Sequence, residues 1–170
     1  MGDDVKAMPD ERLLDYDKCI EEKIRFLNDD RHIVLATSLN DRVTARTIDY
    51  VCSGLDLIFL SWDHHDKITQ INGNHRVALC RDNVQIEGVA EILGNPHDDK
   101  NKEYAELYRG KLPILFDVFS NLPGMIFVKV TSKLFKTFIS GRNRRIDYLD
   151  LSTYRAFWKG LEEDEYTQGT

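Results

Sequence analysis

The hydrophobic positions change period along the chain, and each change marks an element. From Glu11 to Asn28, Ile20, Ile24 and Leu27 recur at helical spacing, with Leu13, Leu14, Cys19 and Phe26 beside them and the acids on the other side. This predicts a helix ending near Asp29. The period then shortens. His32–Ser38, Val43–Val51 and Leu55–Ser61 read as three strands of a meander, separated by the turn signals Asn40-Asp41 and Ser53-Gly54. In the second strand Thr44, Arg46, Ile48 and Tyr50 share one face, and Val43, Ala45, Thr47 and Val51 the other. A short helix follows over Asp63–Asn72, with Asp63 as its N-cap and Ile68 and Ile71 on one side.

Arg76–Arg81 and Val84–Leu93 read as two further strands around Asp82-Asn83. Gly88 marks a bulge or a close backbone approach in the second. Beyond Asn95-Pro96 the pattern gives a polar helix over Asp98–Arg109 and a short apolar helix over Pro113–Phe119. A long strand over Gly124–Ile139, a last strand over Arg144–Leu149 and a terminal helix over Ser152–Leu161 complete the pattern. Residues 1–10 and 162–170 are polar and expected to be loose. Parallel βαβ alternation would need a helix after nearly every strand. This order points to a mainly β protein, an antiparallel barrel with helices on its outside.

Composition narrows the class. The 170 residues fit one domain, 1–170, without repeats or linkers. Folding a chain of this mass hides roughly 70% of its surface, enough for a core without staples. Apolar residues are 42% and charged residues 31%, which excludes wholesale disorder. A net charge of −6 argues against a nonspecific nucleic-acid binder. No run approaches the ~18 apolar residues of a membrane span. Met1–Glu11 is acidic and lacks an apolar h-region, so no signal peptide is expected. Cys19, Cys52 and Cys80 are odd in number and form no CxxC pair, which fits free thiols in a reducing cytoplasm.

Candidate chemistry centres on two cations. Arg46 sits mid-strand among apolar and small residues and needs a partner. An ion pair or an exposed face would satisfy it, and so would a phosphate or carboxylate met by its planar fork. Lys67 lies in the first turns of a helix, against the dipole. It either pairs with Asp63 or Asp66 or joins Ser61 and the helix N-terminus in an anion site. The strands of Arg46 and Ser61 are expected to be neighbours, which would let the two cations converge. His64, His65, His75 and His97 show no metal-ligand spacing, so no metal is expected. Trp62 and Trp158 suit either the core or the flank of a planar ligand. Arg142, Arg144 and Arg145 form a local basic loop, expected to be solvated.

A set of ordered segments then carries a resemblance. AlaThrSer at 36–38, ValThrAlaArgThrIle at 43–48, LeuIlePheLeuSer at 57–61, Lys67, IleThrGlnIleAsnGlyAsn at 68–74, ArgValAlaLeuCys at 76–80 and ValGlnIleGluGlyValAlaGluIle at 84–92 resemble the pyridoxamine 5'-phosphate oxidase-like flavin-binding split barrels. The short general-stress-protein-like members are the most similar group, and residues 12–95 carry most of the likeness. The resemblance implies a six-stranded antiparallel split β-barrel of Greek-key type that dimerises, with FMN in clefts between subunits. It implies that Arg46 and Lys67 hold the FMN phosphate, with Ser61 near it. The backbone of Thr47 and Ile48 would edge the isoalloxazine ring, Trp62 would lie beside it, and Asn83 would bring an amide near the flavin.

The departures from the oxidase itself are specific. Val51 stands where that enzyme has a lysine, Asp66 where it has an arginine, and its C-terminal Arg-x-His segment has no counterpart. Oxidation of pyridoxamine 5'-phosphate is therefore not expected. The resemblance leaves a flavin-dependent oxidoreductase of unknown substrate, acting as a cytoplasmic homodimer. Its rivals are the same barrel holding a deazaflavin or acting as a flavin reductase, and a non-catalytic flavin- or haem-sensing module. A haem would need an axial ligand, for which His64 and His65 are the histidines near the expected cleft.

Overall fold

The structure is a computed structural model and describes residues 11–141 and 144–161. The expected loose ends and Arg142 of the basic loop lie outside the described residues. In chain order the elements are β1 (Arg12–Leu13), α1 (Tyr16–Asn28), β2 (His32–Leu39), β3 (Arg42–Asp49), β4 (Val51–Ser53), β5 (Asp56–Trp62), α2 (Asp66–Gly73), β6 (Arg76–Arg81) and β7 (Val84–Gly94). A 3-10 turn at Asp99–Asn101 leads into α3 (Lys102–Lys111) and α4 (Pro113–Phe119). β8 (Met125–Ile139), β9 (Arg145–Asp150) and β10 (Arg155–Gly160) close the chain.

Every strand pair is antiparallel. The sheet has ten strands rather than the six expected. It runs β1-β10-β9-β8-β7-β6-β2-β3, with β5 on β8 and β4 on β5. β8 is the branch point. One of its edges follows β7. Its other edge pairs with β5 through Met125–Val130 and then with β9 through Leu134–Ile139. Fifteen residues of strand can serve three neighbours only because the partners on one edge succeed each other. Gly88 sits at the register shift in β7, where a Cβ would lie 2.7 Å from Val130 Cγ1, so the bulge expected there is present.

Three local expectations are corrected. Ser152–Leu161 is not a helix: Arg155–Gly160 is a strand paired with β9. The apolar run Ala156–Trp158 is too short for periodicity to separate helix from strand. The Asp150 carboxylate accepts from the Ser152 and Thr153 N–H groups and sets the hairpin turn instead. α1 begins at Tyr16, capped by Asp15 accepting from Lys18 N at 3.0 Å, because Arg12 and Leu13 pair with β10. Finally, α2 begins after His65, not after Asp63. The Asp63 N–H donates to Gly124 O, and its carboxylate lies against Gly124 and His64 Nδ1.

The meander departs from expectation in a way that creates a cleft. Val43–Val51 is not one strand beside Leu55–Ser61. β3 pairs with β2, and the chain breaks at the buried Tyr50, whose hydroxyl donates to Leu27 O at 2.7 Å. Only the three residues of β4 pair with β5, in the register Val51↔Ile58. Continuing that register by two residues would pair Asp49 with Leu60. Instead the buried Tyr108 hydroxyl of α3 stands between them, accepting from Leu60 N at 3.1 Å and donating to Asp49 O at 3.3 Å. β3 and β5 thus diverge like the two sides of a V, satisfied at the vertex by a side chain.

The main core fills the barrel with Leu27, Leu35, Phe59, Ile86, Val128 and Phe135 among others. A second cluster, built on Ile58, Tyr108, Phe116 and Phe127, fastens α3 and α4 to the outer side of β5 and β8. Among the described residues no helix is long and apolar enough to cross a membrane. The three cysteines are free thiols.

Candidate functional site

The opening between β3 and β5 is a cavity of about 220 Å³. Thr47, Ile48 and Asp49 line it from β3, and Leu60, Ser61 and Trp62 from β5. His65 and Lys67 come from the start of α2, Tyr108, Leu115 and Phe119 from the helical pair, and Met125 from β8. Its walls differ in character. The α2 end is polar and cationic. An aromatic wall adjoins it, with Trp62 packed edge-on against both His65 at 5.3 Å and Phe119 at 5.9 Å, and Asp49 adds one acid to the lining.

Arg46 is not among the residues that line the cavity; it lies on the inward face of β3, as the alternation of that strand dictates. Its Nη1 donates to Thr37 Oγ1 at 2.7 Å and Leu35 O at 3.3 Å, and its Nη2 donates to Thr44 Oγ1. Among the described residues no carboxylate pairs with it, so the structural ion pair that the sequence left open is absent. Burial lowers its pKa from the ordinary arginine value, but a guanidinium stays charged.

Lys67 is half-buried, and its Nζ donates to His65 Nδ1 at 2.9 Å. It pairs with neither Asp63 nor Asp66, and Asp66 instead holds Arg42 at 3.1 Å. Burial lowers the lysine's pKa, and the positive charge of Arg46 lowers it further, so the two cations sit within each other's field. Burial likewise lowers the His65 pKa below 6.5, assisted by the charges of Lys67 and then His64. At neutral pH His65 is thus uncharged. Because an ammonium can only donate, His65 Nδ1 accepts and its proton is on Nε2. Ser61 is 3% exposed, with its Oγ 3.5 Å from the same Nδ1. Among the described residues no side chain caps the N-terminus of α2, where His65 and Lys67 line the cavity.

The structure therefore brings Thr47, Ile48, Ser61, Trp62 and Lys67 to one cavity and sets Arg46 within electrostatic reach of Lys67. Asn83 is elsewhere. It sits in the turn between β6 and β7, where its Nδ2 donates to Phe138 O at 2.7 Å, and it does not line this cavity. Sequence reasoning missed Asp49, Leu60, Tyr108, Leu115, Phe119 and Met125. Their signal is tertiary, because nothing in the pattern of residues 98–119 shows that the helices fold back over β5.

Two cations that no carboxylate contacts among the described residues, with Asp66 acting on Arg46 only through its field, the helix N-terminus and a hydroxyl together suit a compact dianion. The aromatic and aliphatic wall beside them accepts a flat apolar body. The residues therefore fit a flavin phosphate.

The chain matches no protein-family model and no curated protein. Solved structures do match in fold. A Clostridium acetobutylicum protein related to general stress protein 26, of the pyridoxinephosphate oxidase family, superposes with a TM-score of 0.63 at 15% identity. That match covers 83% of this chain and 99% of the other. A haem-binding protein of Mycobacterium smegmatis gives 0.62 at 14% identity, over 79% of this chain and 59% of its own. An FAD-binding protein of Mesorhizobium loti gives 0.54 at 18% identity, over 74% of this chain and 94% of its own. The branched sheet around β8 is thus the split barrel of the pyridoxamine 5'-phosphate oxidase-like proteins, and this chain has that fold.

Proposed function

We propose that this chain is a flavoprotein of the pyridoxamine 5'-phosphate oxidase-like family that binds FMN between two copies of itself and serves as an oxidoreductase. The observation that carries the reading is the pair Arg46 and Lys67, two partly buried cations without a carboxylate partner among the described residues. Burying charge without a counter-ion is costly, and a bound phosphate would remove that cost. Arg46 would meet the phosphate with its fork, and Lys67 would turn from His65 to reach it. Ser61 and the first N–H groups of α2 would complete the shell, while Trp62 and the Thr47–Ile48 backbone would edge the ring. When bound, the flavin would carry the redox chemistry, and the protein would supply orientation, charge and exclusion of water.

The dimer is supported by two features. A cavity of about 220 Å³ in one chain falls below the roughly 300–1,000 Å³ of a complete small-molecule site. The α4 helix also leaves Ile114 79% and Val118 54% exposed. Pyridoxamine 5'-phosphate is not the expected substrate, given Val51, Asp66 and the missing C-terminal segment. Sedimentation with FMN should show twice the chain mass and one FMN per chain. A monomer at micromolar concentration, or no uptake of FMN, would overturn the proposal.

A further inference from the structure

The guanidinium of Arg46 is held by a network that ends on a residue outside the cavity. Thr37 Oγ1 and Thr44 Oγ1 both accept from Arg46, so each hydroxyl proton must go elsewhere. Both go to one atom. Thr37 donates to Gln70 Oε1 at 2.6 Å, and Thr44 donates to it at 2.7 Å. The amide orientation of Gln70 is fixed at its other end, where Nε2 donates to Arg42 O at 3.1 Å. Gln70 is 4% exposed and Thr37 2%, so water does not replace these bonds. Every donor and acceptor in the chain of contacts has one consistent role.

The network has two consequences for the cation. It engages Nη1 and one N–H of Nη2, leaving Nε–H and the other Nη2–H without an acceptor among the described residues. Those two donors share an edge of the fork, the edge that grips a phosphate bidentately. It also anchors the arginine on neutral atoms. A glutamate in place of Gln70 would have the same shape and would accept the same two hydroxyl protons, but it would place a buried anion one hydroxyl away from Arg46. Gln70 lies three residues after Lys67 on α2, so one helix carries a phosphate-facing cation and the group that aims the other.

We propose that Gln70 is a positioning residue that sets the selectivity of this site for a phosphate monoester, by aiming the free edge of Arg46 and holding the guanidinium on neutral partners. The inference rests on the reading of the site as a flavin-phosphate receptor. The test compares Kd for FMN and for riboflavin, which lacks the phosphate, in the parent and in Gln70→Glu across pH 5–8. The variant is expected to lose FMN affinity about tenfold or more at neutral pH, the size of a lost charge-assisted contact. Its affinity for riboflavin should not change.

Lowering the pH should restore the FMN preference relative to the parent. Once protonated, the carboxyl group introduced by Gln70→Glu can donate to Arg42 O and accept from both threonines, as the glutamine amide does. A residue important only for folding would weaken both ligands together and show no such recovery. Thr44→Val, which removes the acceptor of Nη2, should lower FMN affinity selectively and carries the test if Gln70→Glu does not fold. Equal loss of both ligands, or an unchanged FMN preference at every pH, would overturn the role of Gln70. A parent protein that does not distinguish FMN from riboflavin would instead overturn the reading of the site.

Discussion

Arg46→Ala probes the site at its most determinate point. The parent guanidinium has two free donors on one edge, and its position is fixed by Thr37, Thr44 and Leu35 O. A phosphate there would gain a charge-assisted, bidentate contact in a cleft partly closed to water. Removing such a partner costs about 1.5 to 3 kcal/mol, which is roughly ten- to hundredfold in affinity. Arg46→Lys should also weaken FMN, because an ammonium cannot reproduce the planar fork. Riboflavin binding should hardly change in either variant. Titration of flavin fluorescence measures all of these on one scale, and circular dichroism checks that the variants fold. If Arg46→Ala binds FMN as tightly as the parent, the phosphate is held elsewhere and the reasoning fails.

Three further outcomes follow from the geometry. Tyr108→Phe leaves Leu60 N–H and Asp49 C=O unpaired at the vertex of the cleft and should destabilise the protein by about 1 to 3 kcal/mol in denaturant unfolding; an unchanged midpoint would mean that the hydroxyl does not hold the strands apart. Gly88→Ala should cost about 1 to 3 kcal/mol, since the new Cβ meets Val130 Cγ1 at 2.7 Å and Thr131 O at 3.0 Å; a neutral result would show that the β7–β8 contact yields freely. His65 has a folded-state pKa below its ordinary 6.5, so the unfolded chain takes up this proton first. The stability of the phosphate-free protein should therefore be intact above pH 6.5 and fall as pH drops through 6.5 toward the folded value. His65→Gln should flatten that slope, and a slope identical to the parent's would refute the assignment.

Much of the barrel was legible because its strands alternate cleanly and are separated by strong turn residues. Arg46 stood out as a candidate because a charge interrupts the small and apolar residues of its strand, and Ser61 and Lys67 because a hydroxyl and a cation flank the start of a helix. What escaped were features set by pairing rather than by period. Ala156–Trp158 reads the same in a helix or a strand until β9 supplies a partner. The break at Tyr50 depends on the carbonyl of Leu27, which only the folded chain brings near. The separation of β3 from β5 depends on Tyr108, nearly fifty residues beyond Leu60 in sequence. The role of Gln70 was hidden for the same reason, since a glutamine in a short helix carries no local sign of the two threonines it receives. Asn83 shows the converse, a position suggested by resemblance whose side chain is engaged at Phe138 O within this chain.

The absorption spectrum of the protein purified after expression with riboflavin in the medium, and again after adding FMN and removing the excess, tests the central claim most directly. The protein should show the paired near-ultraviolet and blue bands of an oxidised flavin, retained on gel filtration after loading with FMN and weakened by Arg46→Ala. A Soret band, or a protein that stays colourless after exposure to FMN, would contradict it.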